Sequence, residues 1–111
     1  MNEKDNELRG TYFYNGLAKY NSNDFEGAIA DYTKVIEIDP SIVLAYLNRA
    51  LAKLNSNDFE GAISDYTKAI EIDPSYANAY SNRATAKTYL DDLEGAISDY
   101  TKAIEIDPSY A

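Results

Sequence analysis

The chain contains no cysteine, no histidine and no tryptophan. Without cysteine there is no disulfide, no thiolate zinc site and no cysteine nucleophile. Without histidine the commonest general base and the commonest metal ligand are both missing. Positive charge is scarce. Ten Lys and Arg stand against 19 Asp and Glu, a net charge of −9. Nucleic acid needs clustered Lys and Arg on its phosphates, so it is excluded as a partner, as is an anionic membrane surface. Long apolar runs are also missing. The longest, Ile42 to Leu47, falls far short of the roughly 20 residues that span a bilayer. The first ten residues lack the basic start and apolar stretch of a signal peptide. A soluble chain with no membrane insertion is expected, with the cytoplasm favoured. What the chain has in plenty is tyrosine, 11 in 111 residues. A repeat that copies the same Tyr into each unit would explain the excess.

The string IEIDPS occurs three times, with prolines at Pro40, Pro74 and Pro108. The period is 34 residues, within the range of solenoid repeats. Working back from each proline divides the chain into a charged tail or helix extension, 1–8, and three units, 9–42, 43–76 and 77–110. They form one domain over 9–111. Units 1 and 2 agree at 23 of 34 positions, and units 2 and 3 at 25 of 34. The units are copies.

Each unit reads as two helices. In unit 2, VLAYLNRALAKL is rich in helix formers and free of proline and glycine. A polar break, Asn55-Ser56-Asn57, follows. DFEGAISDYTKAIEI then sets Phe59, Ala62, Ile63, Tyr66, Ala69 and Ile70 at helical spacing. Asn57 stands three residues before Glu60, as a capping box would have it. Asn23 with Glu26 and Asp91 with Glu94 repeat the arrangement. Asp-Pro closes the unit, since proline cannot continue the helix. Gly27, Gly61 and Gly95 lie within the second helix, where each costs about 1 kcal/mol relative to alanine. Close packing of another helix is the expected reason.

These features together resemble the tetratricopeptide repeat. The family favours aromatic residues at positions 4, 17 and 24 of the unit, small residues at 8 and 20, and proline at 32. Here position 4 is Tyr12, Tyr46 and Tyr80, and position 8 is Gly16, Ala50 and Ala84. Position 20 is Ala28, Ala62 and Ala96. Position 17 is Phe25, Phe59 and Leu93, and position 24 is Tyr32, Tyr66 and Tyr100. Position 7, usually leucine, is Asn15, Arg49 and Arg83. Position 11, usually tyrosine, is Lys19, Lys53 and Lys87. The resemblance implies an all-α solenoid of helix–turn–helix units in a right-handed superhelical array, with no enzymatic activity and no cofactor. It also implies a concave groove that binds a peptide or partner helix.

Units 2 and 3 differ mainly along one stripe of the first helix, at positions 2, 5, 9, 12 and 13. At about 100° per residue these share a face. The remaining arc, positions 3, 4, 6, 7, 8, 10 and 11, is identical. One arc therefore holds the architecture and the other is free to specify a partner. In the resembled family that stripe lines the groove. The candidate groove residues are Phe13, Leu17 and Tyr20 in unit 1, and Leu44, Leu47, Asn48, Leu51 and Leu54 in unit 2. In unit 3 they are Asn78, Ser81, Asn82, Thr85, Thr88 and Tyr89. This groove is apolar over two units and neutral-polar over the third. It suits a protein segment with aliphatic or aromatic anchors followed by hydrogen-bonding groups. Burial of the leucines as ordinary core is the competing reading.

YLNRA and YSNRA resemble a segment of chaperone-binding family members, which clamp a terminal carboxylate with Lys, Asn and Arg. Of the matching positions, Phe13, Leu17, Asn48, Asn78 and Asn82, only Asn48 fits, so no carboxylate clamp is expected. Arg49 and Arg83 are expected to pair with Asp65 and Asp99. Asp31, Asp65 and Asp99 recur once per unit with Glu37, Glu71 and Glu105, which reads as a solvated face. NSNDFEG has Phe25 at a ligand position of a calcium loop and lacks the closing Glu, so no metal site is expected. No catalytic residue and no phosphate cradle is found. The sequence stops where a fourth unit would start. Ile97, Tyr100 and Ile104 would then lack a neighbour. A fragment of a longer array, or a homo-oligomer joined end to end through this face, is expected.

Overall fold

The computed structural model describes residues 1–110; Ala111, the last residue of the expected domain, lies outside them. Six helices follow in pairs. Unit 1 contributes α1 (Glu3–Asn21) and α2 (Phe25–Ile38). Unit 2 contributes α3 (Val43–Asn55) and α4 (Phe59–Ile72). Unit 3 contributes α5 (Ala77–Tyr89) and α6 (Leu93–Ile106), and a short 3-10 turn, Pro108–Tyr110, follows. Residues 3–8 extend α1 rather than trailing from it. Asn2 caps that extension, accepting a hydrogen bond from the Asp5 N–H at 2.8 Å. The array measures 44 × 25 × 21 Å. Its radius of gyration, 14.4 Å, exceeds the roughly 13 Å of a compact chain of this length, as a one-dimensional stack should.

The break between paired helices is one repeated joint, and it corrects the expected cap. Asn23, Asn57 and Asp91 do not cap the second helices. Each sits in the left-handed region, at φ 66°, 67° and 66°, which Asn and Asp tolerate and which ends a helix. The cap is the next residue. Asp24, Asp58 and Asp92 each accept from an N–H three residues on, that of Gly27, Gly61 and Gly95, at 3.0 Å. The same joint explains these glycines, and helix packing, the expected reason, applies only at Gly27. A Cβ at Gly61 would stand 2.7 Å from the Asp58 carboxyl carbon, and one at Gly27 would stand 2.8 Å from that of Asp24. The glycine keeps room for the cap. Another helix presses on Gly16, whose Cβ would meet the Tyr32 ring at 3.0 Å, and on Gly27, whose Cβ would also meet the Lys19 side chain of α1 at 2.9 Å.

Between units, Asp39, Asp73 and Asp107 turn the chain. Each accepts from the backbone N–H and hydroxyl of the serine two residues later. These bonds hold the Asp39 and Asp73 carboxyls below the ordinary carboxylate range.

The core runs along the stack between neighbouring helices. Tyr66, Ala62 and Ala69 of α4 pack with Tyr46, Leu47 and Ala50 of α3 and with Ala79 and Ala86 of α5. Tyr32 and Ala28 of α2 pack with Ala52 of α3. Small residues on the first helices let the large tyrosines of the second helices in.

The solvated-face reading holds for half of the recurring carboxylates. Glu37, Glu71 and Glu105 are exposed, but Asp31, Asp65 and Asp99 are buried. The reason is the cation supply from the first helices. Asp65 takes a two-pronged contact from Arg49, Nε to Oδ2 at 2.8 Å and Nη2 to Oδ1 at 2.7 Å. Lys53 Nζ adds a contact at 3.1 Å. Asp99 receives Arg83 at 2.8 Å on both prongs and Lys87 at 2.9 Å. A buried carboxylate is tolerated only with such partners. Burial pushes the Asp99 carboxyl up, yet Arg83 and Lys87 outweigh it and hold the group below its ordinary value. Unit 1 has Asn15 in place of the arginine, and Asp31 keeps only Lys19, at 2.9 Å.

Candidate partner-binding groove

The first helices touch one another, α1 with α3 and α3 with α5, whereas α2, α4 and α6 make no such contact among the described residues. The array therefore curves with α1, α3 and α5 on its inner side. These three helices carry the variable stripe.

The structure sorts the candidate residues. Leu44 and Leu17 are exposed, and Phe13, Tyr20, Leu51 and Leu54 are half-buried. Leu47 is only 9% exposed and belongs to the core with Tyr46 and Tyr66. For that one leucine the ordinary core reading wins, because α4 and α5 close over it. Asn48, Ser81, Asn82 and Thr85 are half-buried, while Asn78, Thr88 and Tyr89 are exposed.

Several of these side chains also join one unit to the next. Asn55 donates to the Tyr20 hydroxyl at 2.9 Å across units 1 and 2. Tyr89 stacks on Phe59, centroids 4.5 Å apart and planes 4° from parallel, across units 2 and 3. Thr85 and Thr88 return their hydroxyl protons to Ser81 and Ala84 carbonyls; the Thr85 oxygen then meets the Tyr100 hydroxyl of α6 at 3.1 Å, which leaves the Thr88 oxygen as an acceptor.

A pocket of about 140 Å³ opens between α1 and α3, lined by Leu17, Tyr20, Asn21, Tyr32, Asn48 and Leu51. Leu17 and Leu51 give it apolar walls. The buried Tyr32 hydroxyl has no hydrogen bond of good geometry, and burial pushes its ionisation up, with the nearby Asn48 amide opposing the shift. The sequence placed Leu17, Tyr20, Asn48 and Leu51 on one stripe. It missed Tyr32, whose conserved spacing within the repeat reads as core. No lysine or arginine lines this pocket.

Arg49 and Arg83 do not reach into the hollow as free cations. Besides its aspartate, each guanidinium donates back to the preceding unit, Arg49 to Thr33 Oγ1 at 3.1 Å and Arg83 to Thr67 Oγ1 at 3.0 Å. Each also lies over a tyrosine of its own helix, Tyr46 and Tyr80.

Paired helices stacked at a constant period, with an inner face that varies between units, define a helical-repeat solenoid of the protein-interaction class. Sequence profiles name the family. The TPR repeat profile matches residues 16–56 and 52–90, and the tetratricopeptide repeat profile matches residues 77–110. The chain belongs to the tetratricopeptide repeat family. No curated protein matches it in sequence. Among solved structures it is similar to the TPR domain of Arabidopsis OM64, at 30% identity and a TM-score of 0.90, covering 95% of this chain and 87% of that one. It is also similar to the first TPR of Spaghetti (RPAP3) bound to the HSP90 peptide SRMEEVD. There the identity is 31% and the TM-score 0.88, over 92% of this chain and 81% of that one. The TPR2B domain of yeast Sti1, solved as a complex with pHsp70, is similar at 29% identity and a TM-score of 0.87, over 93% and 82%. Among the described residues no helix is long and apolar enough to cross a membrane.

Proposed function

We propose that this interaction module holds an uncharged, apolar-anchored segment of a partner protein in its concave groove. The pocket between α1 and α3 carries the proposal. It is a recess with leucine walls and a polar floor, on the inner face of a solenoid whose neighbours include a domain bound to the peptide SRMEEVD. An aliphatic or aromatic anchor would enter between Leu17 and Leu51. The flanking segment would run toward Ser81 and Thr88, which offer hydrogen bonds without charge.

The groove departs from what an acidic tail requires. A carboxylate leaving water needs a cation to replace its hydration. Phe13, Leu17, Asn78 and Asn82 supply none, and Arg49 and Arg83 are committed to aspartates. The net charge of −9 adds repulsion toward an acidic peptide.

Two measurements test this reading. Fluorescence anisotropy with labelled SRMEEVD should show no saturable binding up to about 1 mM, weaker than about −4 kcal/mol. Saturation in the micromolar range, lost on Asn48→Ala, would sink the neutral-groove assignment. Selection of random peptides on the immobilised chain should enrich sequences with apolar anchors that no longer bind the Leu17→Glu/Leu51→Glu variant. Leu47 is left intact there because Glu in the core would unfold the chain. Equal binding of the enriched peptides to that variant would remove the groove as the site.

A further inference from the structure

One docking arrangement occurs twice inside the chain. Where α3 covers α2, Asn48 stands beside the Tyr32 hydroxyl, Arg49 reaches Thr33, and Ala45 and Ala52 are fully buried. Where α5 covers α4, Asn82 stands beside the Tyr66 hydroxyl, Arg83 reaches Thr67, and Ala79 and Ala86 are fully buried. The covering helix thus reads Ala-x-x-Asn-Arg-x-x-Ala both times. The covered face offers Ile29, Tyr32, Thr33 and Ile36 in one case, and Ile63, Tyr66, Thr67 and Ile70 in the other.

The outer face of α6 repeats the covered half residue for residue as Ile97, Tyr100, Thr101 and Ile104. Among the described residues no further helix covers it, and its one side-chain tie to α5 is the Tyr100 hydroxyl, 3.1 Å from Thr85 Oγ1. All four are exposed, Ile97 to 66%. Thr33 donates to the Ile29 carbonyl at 2.7 Å and also accepts from Arg49. Thr101 makes the matching bond to Ile97 at 2.8 Å and receives no arginine. We propose that this face docks a helix of a partner protein carrying the pattern small-x-x-Asn-Arg-x-x-small. In that register the arginine donates to Thr101 and the asparagine meets the Tyr100 hydroxyl, while the small residues let Ile97 and Ile104 close against the incoming backbone.

A second copy of this chain does not supply that helix. Its α3 and α5 are already docked. Its α1 places Thr11, Tyr14, Asn15 and Ala18 where the pattern needs Ala, Asn, Arg and Ala. Tyr14 is 71% exposed, and its ring would stand where Tyr100 needs a short amide. Two chains of net charge −9 also repel. Geometry and charge both select a foreign helix over end-to-end self-association.

The test uses the whole chain and a hydrocarbon-stapled helix with the sequence of residues 77–89, which carries the pattern. An isolated helix of this length is marginal in water, hence the staple. In an NMR titration the stapled helix should shift the resonances of Ile97, Tyr100, Thr101 and Ile104 saturably. Glu in place of its arginine should weaken binding at least tenfold. The Thr101→Glu variant, on the exposed side of α6, should lose binding while its circular dichroism stays unchanged. Sedimentation should show the free chain as a monomer. Shifts confined to Leu17, Tyr20 and Leu51, no shifts at millimolar peptide, or a dimer broken by Ile97→Glu would each overturn the proposal. The groove reading stands or falls separately, because the Leu17→Glu/Leu51→Glu variant leaves α6 untouched.

Discussion

α4 and α6 have the same sequence apart from their first residue, Phe59 against Leu93. Their caps match, with Asp58 and Asp92 each 3.0 Å from the glycine N–H. Their environments do not. Tyr66 is 1% exposed and Tyr100 is 39% exposed. Local sequence therefore sets where the helix starts and stops, and the neighbouring helix decides what its tyrosine contributes. In a repeat array the unit of stability is the interface between units as much as the unit itself.

Substitution at the two tyrosines gives the largest expected contrast. Tyr66→Ala should cost about 3–5 kcal/mol, as large-to-small changes of buried aromatics do. Tyr100→Ala gives up a partly covered ring and the hydroxyl contact with Thr85 at 3.1 Å, and should cost about 1–2 kcal/mol. Urea unfolding of both variants measures the difference, and equal losses would erase the comparison. Next in size are the buried aspartates. Asp65→Ala strands Arg49 and Lys53 and should cost about 3 kcal/mol. Asp31→Ala releases a single lysine and should cost less. A double-mutant cycle with Arg49→Ala isolates the pair.

Smaller again is the contrast between two glycines. A Cβ at Gly10 has nothing within 4 Å, so Gly10→Ala should stabilise by about 0.5–1 kcal/mol through helix propensity. Gly61→Ala drives out its own Asp58 cap, and the lost cap, worth about 1 kcal/mol, should cancel that gain. Thermal melts of the two variants moving in the same direction would refute the cap explanation.

The smallest effects concern pH. Asp39, Asp73 and Asp99 have folded pKa values depressed from 3.8. Their contribution is therefore present above that value and is lost as pH falls through the depressed ones. Tyr32 and Tyr66 are raised from 10.0, chiefly by burial. Their contribution is full below pH 10 and declines as pH rises past it. Melting temperature should thus be flat from about pH 5 to 9 and fall on both sides. Tyr66→Phe should blunt the alkaline fall.

The fold was legible because the 34-residue period, IEIDPS and the aromatic and small positions all agree. The caps were misread by one residue. Asn57…Glu60 and Asp58…Gly61 are both plausible starts in adjacent registers, and only the positive φ of Asn57 separates them. The pairing of Arg49 with Asp65 was readable from two inward-pointing charges. The same Asp65 nonetheless read as solvated, because recurrence looks alike for a wet face and for a repeated buried pair. Within the groove stripe, Leu47 and Leu51 look equivalent. Burial of one follows from how α4 and α5 close over α3, a relation no single helix contains.

The guanidinium groups of Arg49 and Arg83 have a mechanical consequence. Each spans three successive helices, holding a threonine behind and an aspartate ahead at fixed hydrogen-bond lengths. Two struts of equal reach therefore tie unit 2 to unit 1 and unit 3 to unit 2 in the same way. A lysine in either place would keep the charge but slacken the strut. The register between neighbouring units would then rest on the packing of the tyrosines and alanines alone.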